Sequence, residues 1–234
     1  MIDLGATDFY IDVPSLPRQE FEEYSTKLFD EWEAYVGKVL KIPDYALALD
    51  VEEGSIKGAA KIAAAVYALY MGVGQYGSFM SGVQTRRGQI SSAGEFLAAN
   101  ATAPFSSYKV KPIIKNHNGS LGKLQKLFLK IQQGKITPEQ AMIQAQVLFG
   151  DKDVSEPCFM DELKRSFENT TVLATQLDLP IETLEQKSVL IPSVNERPLR
   201  TQSPKPQIPI GQQFRVQIWR NSKTEKKKVR VVQL

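Results

Sequence analysis

Few residues of this 234-residue chain have the types and spacing that catalysis or metal binding requires. His117 is the only histidine, which excludes a metal site with several histidine ligands, and its polar loop predicts a surface residue rather than a catalytic base. Cys158 is the only cysteine, so no internal disulfide can form. The neighbouring Phe159 and Met160 predict that Cys158 lies in the core rather than in a reactive site.

Two further patterns bear only a loose likeness to functional sites. Glu52 and Glu53 form a carboxylate pair, but ahead of a predicted helix we expect them to act as capping charges. The run GVGQYG (72–77) lacks the Gly-Lys-Ser/Thr that completes a phosphate-binding loop, so it predicts helix packing or bending. The sequence therefore predicts no metal or cofactor site and favours a protein that is not an enzyme, with chemistry by carboxylates alone or by lysine as the alternative left open.

The charge of the chain is divided into zones. Residues 1–56 carry 13 acidic and 4 basic side chains, whereas residues 57–150 carry 2 acidic and 11 basic ones. Residues 151–188 are acidic again, with 9 acids and 4 bases, and residues 189–234 are basic, with 2 acids and 10 bases. Either the zones face one another inside the fold, or a basic zone binds a polyanion.

The longest apolar stretch lies in the middle of the chain, where 24 uncharged residues separate Lys61 from Arg86. Within the stretch 54–87, it predicts a long buried helix that begins after Ser55 as N-cap and is interrupted by a kink or turn among the glycines between 74 and 82. The small residues that recur at every fourth position predict a packing ridge on this helix. They are Ala60, Ala64, Ala68 and Gly72.

The flanking segments predict the remaining elements. A strand over 8–13, an amphipathic helix over 18–40 and a strand over 45–51 form the start of a β-α-β-α unit, and the two strands could be parallel or antiparallel. A weaker helix ends before Pro104, and a basic amphipathic helix occupies 120–133. The strongest local signal is Thr137-Pro138-Glu139-Gln140, a capping box with proline at the first helical position.

These elements predict an α+β fold that is mostly helical, with a buried Gly/Ala-rich central helix. We expect a mainly helical domain over 1–188, a Pro-rich linker over 189–213, and a basic strand pair over 214–234.

Three functions are compatible with this architecture, and the first is favoured. It is a non-catalytic accessory or adaptor protein that docks a protein partner through its zoned charge and a C-terminal strand. The second is nucleic-acid binding by the basic helix 120–133 and the basic tail. The candidate contacts for a polyanion or partner are Lys109, Lys111, Lys115, Lys123, Lys126, Lys130, Trp219, Lys226, Lys227 and Lys228.

The third function is membrane insertion or pore formation by residues 56–85, which exceed the roughly 20 residues that a span requires. The glycines and polar residues of this stretch favour a soluble core helix instead. The first residues lack the pattern of a signal peptide, so we expect a cytoplasmic location with membrane association as the alternative. The oligomeric state stays open.

Overall fold

A six-stranded antiparallel sheet carries the fold, with the strand order β4-β1-β3-β2-β5-β6. The structure is a computed structural model and describes residues 1–73, 78–108, 110–149, 157–172 and 213–234. The strands are β1 (Ile2–Ile11), β2 (Ala46–Glu52), β3 (Ile56–Ala64), β4 (Ile113–His117), β5 (Phe214–Arg220) and β6 (Lys228–Gln233). The helices are α1 (Arg18–Leu40), α2 (Val66–Val73), α3 (Phe79–Thr102), α4 (Gly119–Gln132), α5 (Pro138–Phe149) and α6 (Pro157–Glu168), and a 3-10 helix (Ala103–Tyr108) follows α3.

The order of the first four strands follows from their connections. β2 and β3 form a hairpin, and β3 pairs with β1 on its other side. β1 and β2 are therefore parallel to each other but are not neighbours, which resolves the two alternatives left by the sequence. With α3 leading to β4 beside β1, the element order and strand order are those of the split β-α-β-β-α-β motif.

The sheet has one face covered by helices. Its inward side chains, such as Phe9, Leu49 and Ile62, are buried, and on this sheet α3 contacts β1 while α1 contacts β2 and β5. The Trp32 indole nitrogen donates a hydrogen bond to the Ala93 carbonyl oxygen over 3.1 Å and so joins the two helices. The alternation of buried and exposed residues along β1, β2 and β3 is the pattern of a sheet with one open face.

The α+β class and the predominance of helix are confirmed, but the predicted central helix is wrong in its first part. Residues Ile56–Ala64 form β3, and Gly54 and Ser55, with φ of 89° and 94°, form the hairpin turn before it. Ser55 is therefore not an N-cap. Alternate residues of KGAAKIAA (57–64) point to opposite faces of the sheet. Alanine occurs on both faces and is compatible with a helix as well as with a crowded sheet centre. The sequence therefore does not show the alternation of apolar and polar residues that predicts a strand.

The packing ridge is corrected for the same reason. Ala60 and Ala64 are inward residues of β3, whereas Ala68 and Gly72 belong to α2, so the four residues do not form a ridge on one helix. The interruption near the glycines is present, because Ser78 has extended backbone and caps α3 by accepting a hydrogen bond from the Ser81 amide.

Of the other local predictions, those for α1, the capping box of α5 and the end of α4 are confirmed. α1 has the predicted bounds, and Thr137 and Gln140 form the predicted capping box, with reciprocal bonds of 3.2 and 3.3 Å. Gly134, with φ of 66°, stands just after α4, as its predicted stop requires. β4 was missed, since its five residues are too few to show a period. The Pro-rich linker 189–213 lies outside the described residues apart from Gln213.

The predicted C-terminal strand pair is present and belongs to the same sheet as β1–β4. β5 pairs with β2 over Leu47–Glu52, and β6 then forms an outer edge of the described sheet. The side chains that β5 turns inward, Val216 and Ile218, are buried in the common core. The strand pair thus completes the fold of the residues before it.

Candidate interaction surfaces

The strand order interleaves the acidic and basic zones of the sequence. On the open face of the sheet, the outward side chains of β1 and β2 carry the acids, and those of β3, β4, β5 and β6 carry the bases. The acids are Asp3, Asp8, Asp50 and Glu52, and the bases are Lys57, Lys61, Lys115, Arg215, Lys228 and Arg230. Opposite charges on adjacent strands attract, so much of the zoned charge is compensated within the sheet.

Specific ion pairs carry this compensation. On the open face, the Asp3 carboxylate lies 3.5 Å from the Lys61 ammonium group. The Asp8 carboxylate makes a hydrogen bond of 2.8 Å with a ring nitrogen of His117, and this contact is an ion pair only when the imidazole is protonated. Glu52 pairs with Arg215 across β2 and β5. His117 is exposed, as predicted, and its partner is a single carboxylate. Among the described residues, no group of three or more histidine, cysteine or acidic side chains could hold a metal ion.

The basic tail also meets the acidic helix α1. Arg220 pairs with Glu33 and has a side chain only 7% exposed, and its guanidinium lies 5.5 Å from the centre of the Tyr45 ring. Burial lowers the pKa of Arg220. Lys227 pairs with Asp30. These contacts hold the C-terminal hairpin against α1, so Arg220 and Lys227 have a structural role.

The open face itself forms a shallow trough. Two adjoining hollows of about 570 Å³ each share Asp8, Asp50 and Ala59 in their floor. Tyr10 borders one hollow and Trp219 borders the other. The trough is large enough for a ligand, but its acids and bases alternate, so its charges select neither a polyanion nor a polycation.

The predicted contact residues are therefore spread over several surfaces. Lys115, Trp219 and Lys228 border the open face, and Lys228 also lies 3.7 Å from Glu225. Lys111 and Lys226 are exposed outside it, and Lys109 lies outside the described residues. The described members of the set therefore do not form one common patch.

Helix α4 keeps the basic surface that the sequence predicts for it. Lys123, Lys126 and Lys130 are exposed and, among the described residues, make no ion pair within 4.0 Å. No acidic residue occurs between Glu95 and Glu139, so α4 has no negative side chain of its own. Within the described part of the chain, these lysines of α4 thus have no acidic partner, unlike Lys61 and Arg215 of the sheet.

The groove between α5 and α6 was missed by sequence reasoning. It encloses about 420 Å³, and Met142, Met160 and Ile143 supply its apolar lining. Ile143 is 62% exposed, and Val147, one turn further along α5, is 82% exposed. No sequence signal pointed to it, because Ile143 and Val147 have the spacing of a buried face, whereas the structure buries the opposite side of α5, which is formed by Ala141, Ala145 and Phe149.

The border of this groove is acidic. Glu139, Asp161 and Glu168 line it together with one base, Lys164. A hydrogen bond from the Thr137 side chain lowers the pKa of Glu139, and the charge of Lys164 adds a smaller effect in the same direction. Glu139 is therefore ionised at neutral pH, and the groove combines apolar walls with net negative charge.

The predicted core position of Cys158 is wrong. Cys158 lies at the start of α6 with its thiol exposed, while the core side of that helix is formed by Phe159, Leu163 and Phe167. The period of the helix explains the difference, because Phe159, Leu163 and Phe167 recur every four residues and Cys158 precedes that series by about 100°.

Among the helices of the described residues, none has the length and apolar character needed to cross a membrane.

Comparison with protein families, with characterised proteins and with solved structures found no match to this chain.

Proposed function

We propose that this chain is a non-catalytic interaction protein, an accessory subunit that binds a partner protein through the surface formed by α5 and α6. The observation that carries the proposal is the exposure of Ile143 and Val147 beside a methionine-lined groove. Scattered exposed aliphatic residues are common, but two on one side of a helix beside an apolar recess form a continuous patch. Water leaves such a patch when a partner covers it.

The remaining surfaces support this choice by contrast. On the open sheet face, ion pairs across strands join Asp3 with Lys61 and Glu52 with Arg215, and β5 already has both of its neighbours in the sheet. Strand addition to the C-terminal strand pair would therefore have to use the outer edge of β6, where Lys228 and Arg230 are charged. Charged side chains on an edge strand disfavour such pairing.

A site-specific cross-link tests the proposal. With a photo-reactive phenylalanine analogue in place of Val147, we expect one discrete covalent adduct in the native cell. Ile143→Asp should reduce its yield about tenfold, because a carboxylate would have to be desolvated at the contact. The same analogue at Glu23 on α1 is the matched exposed control. An identical adduct profile from both positions would refute the assigned surface.

A second candidate, nucleic-acid binding, is favoured by the uncompensated lysines of α4. Phosphate contacts by Lys123, Lys126 and Lys130 release counterions, so the affinity should fall steeply as salt rises. Charge reversal of all three to glutamate should weaken binding at low salt and reduce the slope of log K against log salt by about three. Reversal of three exposed lysines elsewhere is the control, with Lys27, Lys38 and Lys223 changed to glutamate.

Fluorescence anisotropy with single- and double-stranded oligonucleotides measures both effects. If neither oligonucleotide binds at low salt, or if the two triple variants lose affinity equally, α4 is not a nucleic-acid surface.

A further inference from the structure

The shape of the α5–α6 groove suits a helix. α5 has 12 residues and so extends about 18 Å, which matches roughly three turns of a partner helix lying along it. Met142 of α5 and Met160 of α6 both line the recess, and methionine side chains adapt to differently shaped apolar surfaces. Amphipathic helices bind such grooves through residues spaced three and four apart.

The charge of the border selects among possible helices. Three carboxylates and one ammonium group line the groove, a net charge of −2. A second copy of this chain presenting the same patch would bring two such borders together, which like charges disfavour. A partner with bases beside its apolar stripe would form opposite-charge pairs with Glu139, Asp161 and Glu168.

We infer that the α5–α6 groove binds a basic amphipathic helix of a partner protein. The inference rests on the proposed function and gives the partner its chemical class. The apolar stripe of the helix covers Ile143 and lies between Met142 and Met160. The lysines or arginines beside the stripe lie over the acidic border.

The test uses the full chain and a designed peptide of 14 residues with leucine on one face and lysine on the other. Its counterpart has glutamate in place of lysine. Of the five methionines, Met142 and Met160 line the groove, whereas Met80 borders a different hollow between α3, α4 and α6. Spectra of ¹³C-methyl-labelled methionine therefore report where each peptide binds.

We expect the lysine peptide to shift the Met142 and Met160 signals and to leave that of Met80 in place. The glutamate peptide should bind at least tenfold more weakly. Ile143→Asp should reduce the affinity for the lysine peptide at least tenfold, whereas Ile113→Asp, at an isoleucine 69% exposed on β4, should not.

The charge of the border is tested separately. Asp161→Lys together with Glu168→Lys should weaken the lysine peptide and strengthen the glutamate peptide. The control with the same charge change on α1, Glu20→Lys with Glu23→Lys, should do neither.

Three results would overturn the inference. They are the absence of any shift at Met142 and Met160, equal affinity for the two peptides, and a dimer in sedimentation that Ile143→Asp converts to a monomer. The proposed function fails independently, on the cross-link at Val147. A discrete Val147 adduct together with equal peptide affinities would keep the interaction protein and reject the basic helix.

Discussion

Gly58 and Phe9 offer a sharp test of the way β1 and β3 are packed. The two residues are directly opposite each other in the pairing, and Phe9 is 3% exposed. A Cβ added at Gly58 would overlap the Phe9 ring and would reach its Cε2 at 2.7 Å. The ring therefore lies against the glycine where any other residue would place a side chain, and Gly58→Ala should force the ring to move.

The expected free-energy change combines two opposed effects. Replacing glycine by alanine in a strand restricts the unfolded chain and stabilises the protein by about 0.5–1 kcal/mol. Displacing a buried ring in a close-packed core costs about 1–3 kcal/mol. The net destabilisation of Gly58→Ala should be about 1–2 kcal/mol, which lowers the melting temperature of a chain of this size by about 3–6 °C.

Gly88 provides a matched control for the same substitution. It is exposed in α3, and a Cβ built on it has no atom within 4 Å. Gly88→Ala should therefore raise the unfolding free energy by about 0.5–1 kcal/mol, because only the helix propensity changes. The two glycines are expected to respond with opposite sign.

A double-mutant cycle separates the overlap from other causes. In a Phe9→Leu background the distal ring atoms are absent, so Gly58→Ala should become neutral or stabilising, with a coupling of about 1–3 kcal/mol. Urea unfolding followed by the fluorescence of the buried Trp32 measures all four proteins. Equal costs of Gly58→Ala in both backgrounds, or a rise in stability with Phe9 present, would refute the packing described here.

Three further predictions concern other parts of the fold. Glu33→Gln should destabilise the protein by about 3 kcal/mol, because the buried Arg220 loses its anionic partner, and Glu33→Gln with Arg220→Met should recover most of the loss in urea unfolding. Burial raises the pKa of Tyr24, so the stability that its neutral phenol provides should be complete below about pH 10 and lost as the pH rises further; Tyr24→Phe should flatten the alkaline part of a stability–pH curve. Thr137→Ala should cost about 1 kcal/mol and speed hydrogen exchange at the start of α5, since the Gln140 amide loses its acceptor, whereas Thr137→Ser should not.

The basic surface of α4 could be predicted from the sequence alone. The lysines of α4 fall on its exposed side because their spacing relative to Leu124 and Phe128 fixes the polar face of the helix. The groove between α5 and α6 could not be predicted in this way. Ile143 and Val147 satisfy the period of a buried face, and only the packing of α5 shows that its alanines occupy that face instead.

The sequence by itself determined the features that depend on residues close together in the chain. The bounds of α1, the capping box of α5, the stop at Gly134 and the C-terminal hairpin each arise from side chains within a few residues of one another. Such signals depend only on neighbouring residues, so they can be recognised without knowing which distant segments pack against them. The number and sign of the charges in each zone also follow from the sequence alone.

The tertiary structure decided which distant segments these local elements pack against. Residues 56–64 are a strand because β1 and β2 lie on either side to satisfy their backbone groups, and their alanines fit the crowded centre of the sheet. The strand order places the basic strand β3 between the acidic strands β1 and β2, so charges far apart in sequence neutralise each other. These outcomes depend on contacts between distant segments, and no pattern of neighbouring residues specifies them.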